Sequence, residues 1–148
     1  MRKKIISVVC FLLAVFVSHG IAADSASFFF LQLSDPQFGF MDNNKSISAE
    51  TEAMNKAVTA INQLKPPFVV ITGDFVNNSK SKEQIAAYKS MIAQIDSSVK
   101  VYMIPGNHDI GKVSRASIDN YKKNYGEPHF SFRYGDCAFI GIDSNIIK

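Results

Sequence analysis

Three short apolar runs constrain this chain more than any other feature: Phe28-Phe29-Phe30-Leu31-Gln32-Leu33, Phe68-Val69-Val70-Ile71-Thr72 and Val101-Tyr102-Met103-Ile104. Apolar runs without alternation suit strands covered on both faces, the condition of parallel strands in α/β proteins. The first run reads as a central strand of such a sheet. Between the runs the pattern changes to a helical period. After a polar segment from Asp42 to Ser48, the side chains of Met54, Ala57, Val58, Ile61 and Leu64 fall on one face. Glu50 and Glu52 occupy the first turn, where the helix dipole favours acids, and Pro66-Pro67 stops the helix. Ser81-Lys82-Glu83-Gln84 reads as a capping box opening a second helix. Its expected buried face is Ile85, Tyr88, Met91 or Ile92, and Ile95. Strand, helix, strand, helix, strand implies right-handed crossovers, so the three strands run parallel and their C-terminal ends share one edge.

Beyond the third run, Ser114 caps a short helix carrying Ile118, Tyr121 and Tyr125 and closed by Gly126. Phe130-Ser131-Phe132-Arg133-Tyr134, a Gly135-Asp136 turn and Cys137-Ala138-Phe139-Ile140-Gly141-Ile142 then read as a hairpin. The first of its strands alternates and is expected to be the more exposed; the second is nearly all apolar and is expected to be the more buried. The fold class is α/β: a parallel βαβαβ unit followed by a β-hairpin.

The three apolar runs end in loops that carry polar side chains: Asp35 and Gln37 after the first, Asp74 after the second, and Asn107, His108 and Asp109 after the third. An isolated Asn-His-Asp triplet reads as an Asx-type turn. Polar groups crowded onto the end of a buried strand nevertheless cost stability unless they bind or catalyse something, and this edge is where parallel sheets bind ligands. Two carboxylates, amide oxygens and an imidazole, without a thiolate, form a hard donor set. It suits Mn, Mg, Fe or Zn in a reactive site rather than a structural zinc site. A pair of such ions with one Asp bridging them generates hydroxide near neutral pH and clamps an in-line displacement at phosphorus. His108, with Asp109 holding the other ring nitrogen, would act beside the phosphate as donor or general acid.

With these loops in view, the chain resembles the calcineurin-like metallophosphoesterases. Asp35-Pro36-Gln37 resembles that family's first motif, Gly73-Asp74 followed by Asn77 its second, and Gly106-Asn107-His108-Asp109 its third. The likeness runs from about Phe28 to Asn145, with Phe130-Ser131-Phe132 and Asp143-Ser144-Asn145 similar to framework segments. It implies an α/β-β/α sandwich, a phosphoester substrate and two divalent metal ions. It assigns Asp35 to the first metal, Asp74 to the bridge, Asn107 to the second metal and His108 to catalysis.

Gln37 stands where the usual motif has His, a change that resembles one branch of the family related to animal serine/threonine phosphatases. A Gln oxygen is a weaker ligand, and Gln37 serves equally well as a hydrogen-bonder behind the ligands. The family's later lone His and Gly-His-x-His motifs do not occur here; the other histidines are His19 and His129. The expectation is therefore the N-terminal half of a phosphoesterase domain over residues 24–148. Two alternatives are a catalytically incompetent remnant and a nucleotide-binding α/β module. Against the second, no Gly-rich phosphate loop follows the first strand.

Residues 1–23 read as a secretory signal peptide. Arg2-Lys3-Lys4 precedes an apolar core from Ile5 to Val17, and Gly20-Ile21-Ala22-Ala23 suits cleavage after Ala23, or alternatively after Ala22. The core is short for a membrane span, so a secreted or periplasmic protein without stable membrane association is expected. The leader holds three of the 16 basic residues and none of the 13 acidic ones, leaving a balance of 13 against 13. A neutral mature chain offers no electrostatic case for nucleic acid. Cys137 is then the only cysteine, expected to be buried and unable to form an internal disulfide.

Overall fold

The computed structural model describes residues 27–147, so the predicted leader lies outside the described residues. The elements are β1 (Leu31–Leu33), α1 (Ser48–Leu64), β2 (Phe68–Thr72), α2 (Lys82–Ile92), β3 (Lys100–Ile104), α3 (Asn107–Ile110), α4 (Arg115–Tyr125), β4 (Phe130–Tyr134) and β5 (Cys137–Gly141). A single 3₁₀ turn follows at Ser144–Ile146. The first three strands form a parallel sheet in the order β1-β2-β3, with Leu33 opposite Ile71 and Ile71 opposite Met103. β4 and β5 form a separate antiparallel pair, with Phe132 opposite Phe139. Among the described residues no helix is long and apolar enough to cross a membrane.

β2, not β1, is the central strand of the described sheet, and Phe68 to Ile71 are all buried. The pleat divides its side chains between two packing partners. Val69 and Ile71 join Met54, Val58, Ile61 and Tyr88 in the core under the helices. Phe68 points the other way, into an aromatic layer that holds the hairpin to the sheet. Tyr102 stacks on Phe132 at 3.8 Å between centroids, and Phe68 meets Phe139 edge-on at 4.9 Å.

Three expectations about this layer need correction. Phe28 to Phe30 precede the β1 ladder: Phe28 packs on Tyr134 at 4.8 Å, while Phe30 packs on Phe139 at 5.4 Å. β5 is exposed rather than buried, with Ile140 at 70% exposure. Cys137 on the same strand is a free, exposed thiol. The exposure of Ile140 follows from alternation, because it lies on the hairpin face opposite Phe139, which has no cover among the described residues; Cys137 shares the face of Phe139 but sits at the turn end of the strand.

The helices follow the sequence more closely. In α1, Met54, Val58 and Ile61 are buried, but Leu64 is exposed: three residues on, it lies about 60° round the helix from Ile61. Lys65 closes the helix in the left-handed conformation. Ser81 caps α2 by accepting from Gln84 N at 3.3 Å. The Gln84 side chain does not complete the box. It turns inward, 3% exposed, to other partners described below. Ser114 caps α4, and Gly126 closes it at φ 97.

Candidate functional site

The three polar loops meet through their backbones before any side chain is involved. The parallel ladder of β1 and β2 continues past the strands: Asp35 N donates to Gly73 O at 3.2 Å, Gln37 N to Asp74 O at 2.8 Å and Phe38 N to Phe75 O at 3.1 Å. Asn77 N returns a bond to Phe38 O at 3.0 Å. To keep this pairing while turning off the sheet, Asp35, Gln37 and Asp74 adopt left-handed φ values of 54, 34 and 48. Such conformations are sparsely populated by residues with a Cβ and concentrate at functional sites.

The second and third loops touch at two glycines. A Cβ on Gly73 would lie 2.6 Å from Gly106 N, and a Cβ on Gly106 would collide with the Asp74 backbone and carboxylate. This contact brings the Asp74 carboxylate to the start of α3, where its Oδ1 accepts from His108 N at 2.8 Å. Asp74 is 9% exposed and has no protein donor on its other oxygen among the described residues.

Asp109 does not hold the His108 ring. Its carboxylate, 1% exposed, accepts from Phe75 N at 2.8 Å and Val76 N at 3.2 Å through Oδ1, and from Gly106 N at 2.9 Å through Oδ2. These bonds brace the second loop against the third. Burial pushes its carboxyl up, to about 7; the amide donors pull it down, and the nearby Asp74 charge adds to the rise. Beneath it Phe75 is buried and stacks on Tyr88 at 4.8 Å.

The ring of His108 is held instead by a backbone carbonyl, with Nδ1 2.9 Å from Asn77 O. A carbonyl only accepts, so Nδ1 carries the proton and the neutral ring keeps its lone pair on Nε2. The Asn77 side chain adds a second tie. Its Nδ2 donates to Asn44 Oδ1 at 2.9 Å, and its Oδ1 lies 3.4 Å from Gln37 Nε2. Gln84 Nε2 donates to the same Asn44 oxygen at 2.9 Å, while Gln84 Oε1 accepts from Asn78 N at 2.8 Å. Gln37 thus presents its amide nitrogen to Asn77 and keeps its oxygen for another partner.

Asn107, the first residue of α3, is exposed, and its side chain has no hydrogen-bond partner among the described residues. Asp35 is exposed and takes a hydrogen bond from the Ser34 hydroxyl. From the end of β5, Asn145 Nδ2 reaches Pro105 O at 3.4 Å and Asp143 Oδ1 at 2.8 Å, tying the framework segment to the third loop.

The bracing roles of Asn44, Gln84 and the Asn77 carbonyl differ from what the sequence suggests, which is a solvent-facing Asn44 and a Gln84 that completes the cap of α2. Gln84 leaves a usable signal, because it precedes Tyr88 by four residues and so lies on the inward face of α2. Asn44, in an aperiodic polar loop that reads as solvent-facing, leaves none.

Asp35, Gln37, Asp74 and Asn107 therefore lie on consecutive turns of one polar edge, with two carboxylates and two amide oxygens as hard donors. Among the described residues no three His, Cys, Asp or Glu side chains group closely enough to hold a metal ion by themselves. The profile of the calcineurin-like phosphoesterase family matches residues 30–146. The chain belongs to the calcineurin-like phosphoesterase family.

Its curated relatives include the serine/threonine-protein phosphatase CPPED1 of Bos taurus, 32% identical over 81% of this chain and 44% of the relative. The human CPPED1 is 30% identical over 92% of this chain and 48% of its own length. The probable glycerophosphodiester phosphodiesterase GpdQ of Arcobacter nitrofigilis is 31% identical over 64% of this chain and 35% of its own. The chain thus spans about half the length of the CPPED1 proteins it matches. Among solved structures, a dimetal phosphatase from Danio rerio superposes with a TM-score of 0.48 and 20% identity, over 67% of this chain and 34% of that one.

Proposed function

We propose that this chain carries part of the active site of a metal-dependent phosphoester hydrolase. The observation that supports this best is the joining of the three family motifs into one edge, where the Asp74 carboxylate and the Asn77 carbonyl fix both ends of His108. Asp35, Gln37, Asp74 and Asn107 would hold divalent ions, because hard oxygen donors suit Mn, Mg, Fe or Zn. Such ions, when bound, neutralise charge at phosphorus and lower the pKa of water. Asp74 keeps the α3 backbone in register with the second loop, and the missing side chains of Gly73 and Gly106 let the second and third loops touch. With Nδ1 protonated against Asn77 O, His108 offers Nε2 as its working atom: an acceptor when neutral, and a donor to a phosphate or leaving oxygen when charged. Asp109 acts on this chemistry only through the loops it braces.

Calorimetric titration with Mn²⁺ and hydrolysis of p-nitrophenyl phosphate test the reading. Metal binding that Asp74→Ala abolishes, with turnover lost in His108→Ala but metal retained, is the expected pattern. Hydrolysis that survives either substitution would sink it. Both phosphatase and phosphodiesterase activity fit the relatives, and bis-p-nitrophenyl phosphate distinguishes them.

A second reading has its own observation, the absence among the described residues of three grouped His, Cys, Asp or Glu side chains. On that reading the 148-residue chain folds and is catalytically inert by itself. A folded chain with no Mn²⁺ heat and no turnover selects it.

We further propose export, supported by Arg2-Lys3-Lys4, the apolar stretch after it and Gly20-Ile21-Ala22-Ala23. N-terminal sequencing of the secreted or periplasmic product should begin at Asp24 or Ala23; an intact Met1 in the cytoplasm overturns this.

A further inference from the structure

Between α2 and α4 the surface opens into a groove of about 1100 Å³. Five lysines line it, Lys80, Lys82, Lys89, Lys112 and Lys123, and no Asp or Glu does. None of the five pairs with a carboxylate among the described residues. Their neighbours on α4 do: Arg115 lies 3.3 Å from Asp119, and Lys122 lies 2.8 Å from Glu127. Unpaired like charges gathered around one cleft produce a local positive potential that a balanced whole-chain charge conceals. Ile85, Ala86 and Ala116 contribute apolar surface between the lysines, with Ile110 buried beneath. Ser114, Asn120 and Asn124 add neutral hydrogen-bonding groups along its α4 wall.

We propose that the α2–α4 groove docks an acidic peptide segment of a partner protein. A segment interleaving carboxylates with small apolar side chains would meet the lysines and, between them, Ile85, Ala86 and Ala116. Other polyanions fit these walls less well. No aromatic side chain lines the groove to stack a base. No arginine supplies the planar fork that recognises phosphate bidentately. A cleft between two helices also suits a chain segment better than the plane of a bilayer.

The groove lies beside the catalytic edge without sharing it. Ile110 and Gly111, which line it, come directly after His108-Asp109, and Ser79 follows Asn77-Asn78. Docking and chemistry are therefore separable, and the proposal stands without any metal.

The test uses the full chain and a fluorescein-labelled peptide of interleaved Glu, Ala and Leu, with a matched peptide carrying Gln for Glu. Anisotropy should report saturable binding of the Glu peptide that weakens with added salt, and much weaker binding of the Gln peptide. Combined Lys82→Glu, Lys89→Glu and Lys123→Glu should weaken binding roughly tenfold or more, because exposed ion pairs contribute a few-fold each. Lys100→Glu, at the start of β3 and outside the groove, should leave binding unchanged. An unaltered thermal melt by circular dichroism establishes that the triple variant is folded. No binding, equal binding of the Gln peptide, or full affinity in the folded triple variant overturns the proposal. So does tighter capture of a single-stranded oligonucleotide or of phosphatidylserine vesicles than of the Glu peptide.

Discussion

The polar edge and the hairpin lie at different sides of the same small sheet, and they are held by different forces. The edge is knitted by directional bonds: a continued backbone ladder, a carboxylate on three amides, and a ring pinned to a carbonyl. The hairpin is held by Phe132 stacked on Tyr102 and by Phe132 and Phe139 packed edge-on with Phe68, while its outer face carries exposed Ile140. Directional bonding fixes positions to fractions of an ångström, which a reactive site requires. Apolar contact supplies adhesion and tolerates change in shape. Damage should therefore be sharp and local at the edge, and graded by burial at the hairpin.

Gly106→Ala should do the greatest harm. Its Cβ has only the Asp74 backbone and carboxylate to move against, so a loss of about 4 kcal/mol is expected in urea denaturation, the range of severe packing strain. A loss below about 1 kcal/mol would mean that the loops slide apart easily and that the edge is not rigid. Next comes Phe139→Ala, which removes a ring lying 5.0 Å from Phe132 and 4.9 Å from Phe68. About 3 kcal/mol should be lost in the same measurement.

Asp109→Asn should cost about 2 kcal/mol, because an amide cannot accept from all three backbone N–H groups with both of its terminal atoms. Amide exchange at Phe75, Val76 and Gly106 should accelerate in this variant while exchange in β4 and β5 does not. Equal acceleration in the hairpin would erase the contrast between the regions. Ile140→Thr on the open face should change stability by no more than about 0.5 kcal/mol while reducing binding of a hydrophobic dye. A large loss from this change would reveal a cover on that face.

Much of the molecule was legible because the relevant signals are local. Proline and glycine punctuated the apolar runs, the helical period placed Met54, Val58 and Ile61 inward, and Ser81 and Ser114 announced helix starts. The gathering of Asp35, Gln37, Asp74 and Asn107 on one edge followed from the topology rule for parallel strands. Partnerships were not legible. Asp109 and His108 are adjacent in sequence, and adjacency suggested that the carboxylate holds the ring. In the fold, one turn of α3 carries Asp109 under the second loop and leaves the ring to Asn77, 31 residues earlier.

The sequence by itself determined the order of the five strands and of α1, α2 and α4, the family, and the residue types available for chemistry, because period, turn residues and motif spacing belong to short stretches of chain; the single turn of α3 it showed only as an Asx-type turn. Only the tertiary structure decided which strand is central, which hairpin face is bare, and which group holds each functional side chain. Each of these depends on atoms distant in sequence that come within bonding range only when the sheet and helices pack. The unpaired lysines of the α2–α4 groove belong to the same class: they are scattered from Lys80 to Lys123 in the chain and gathered by the packing of two helices.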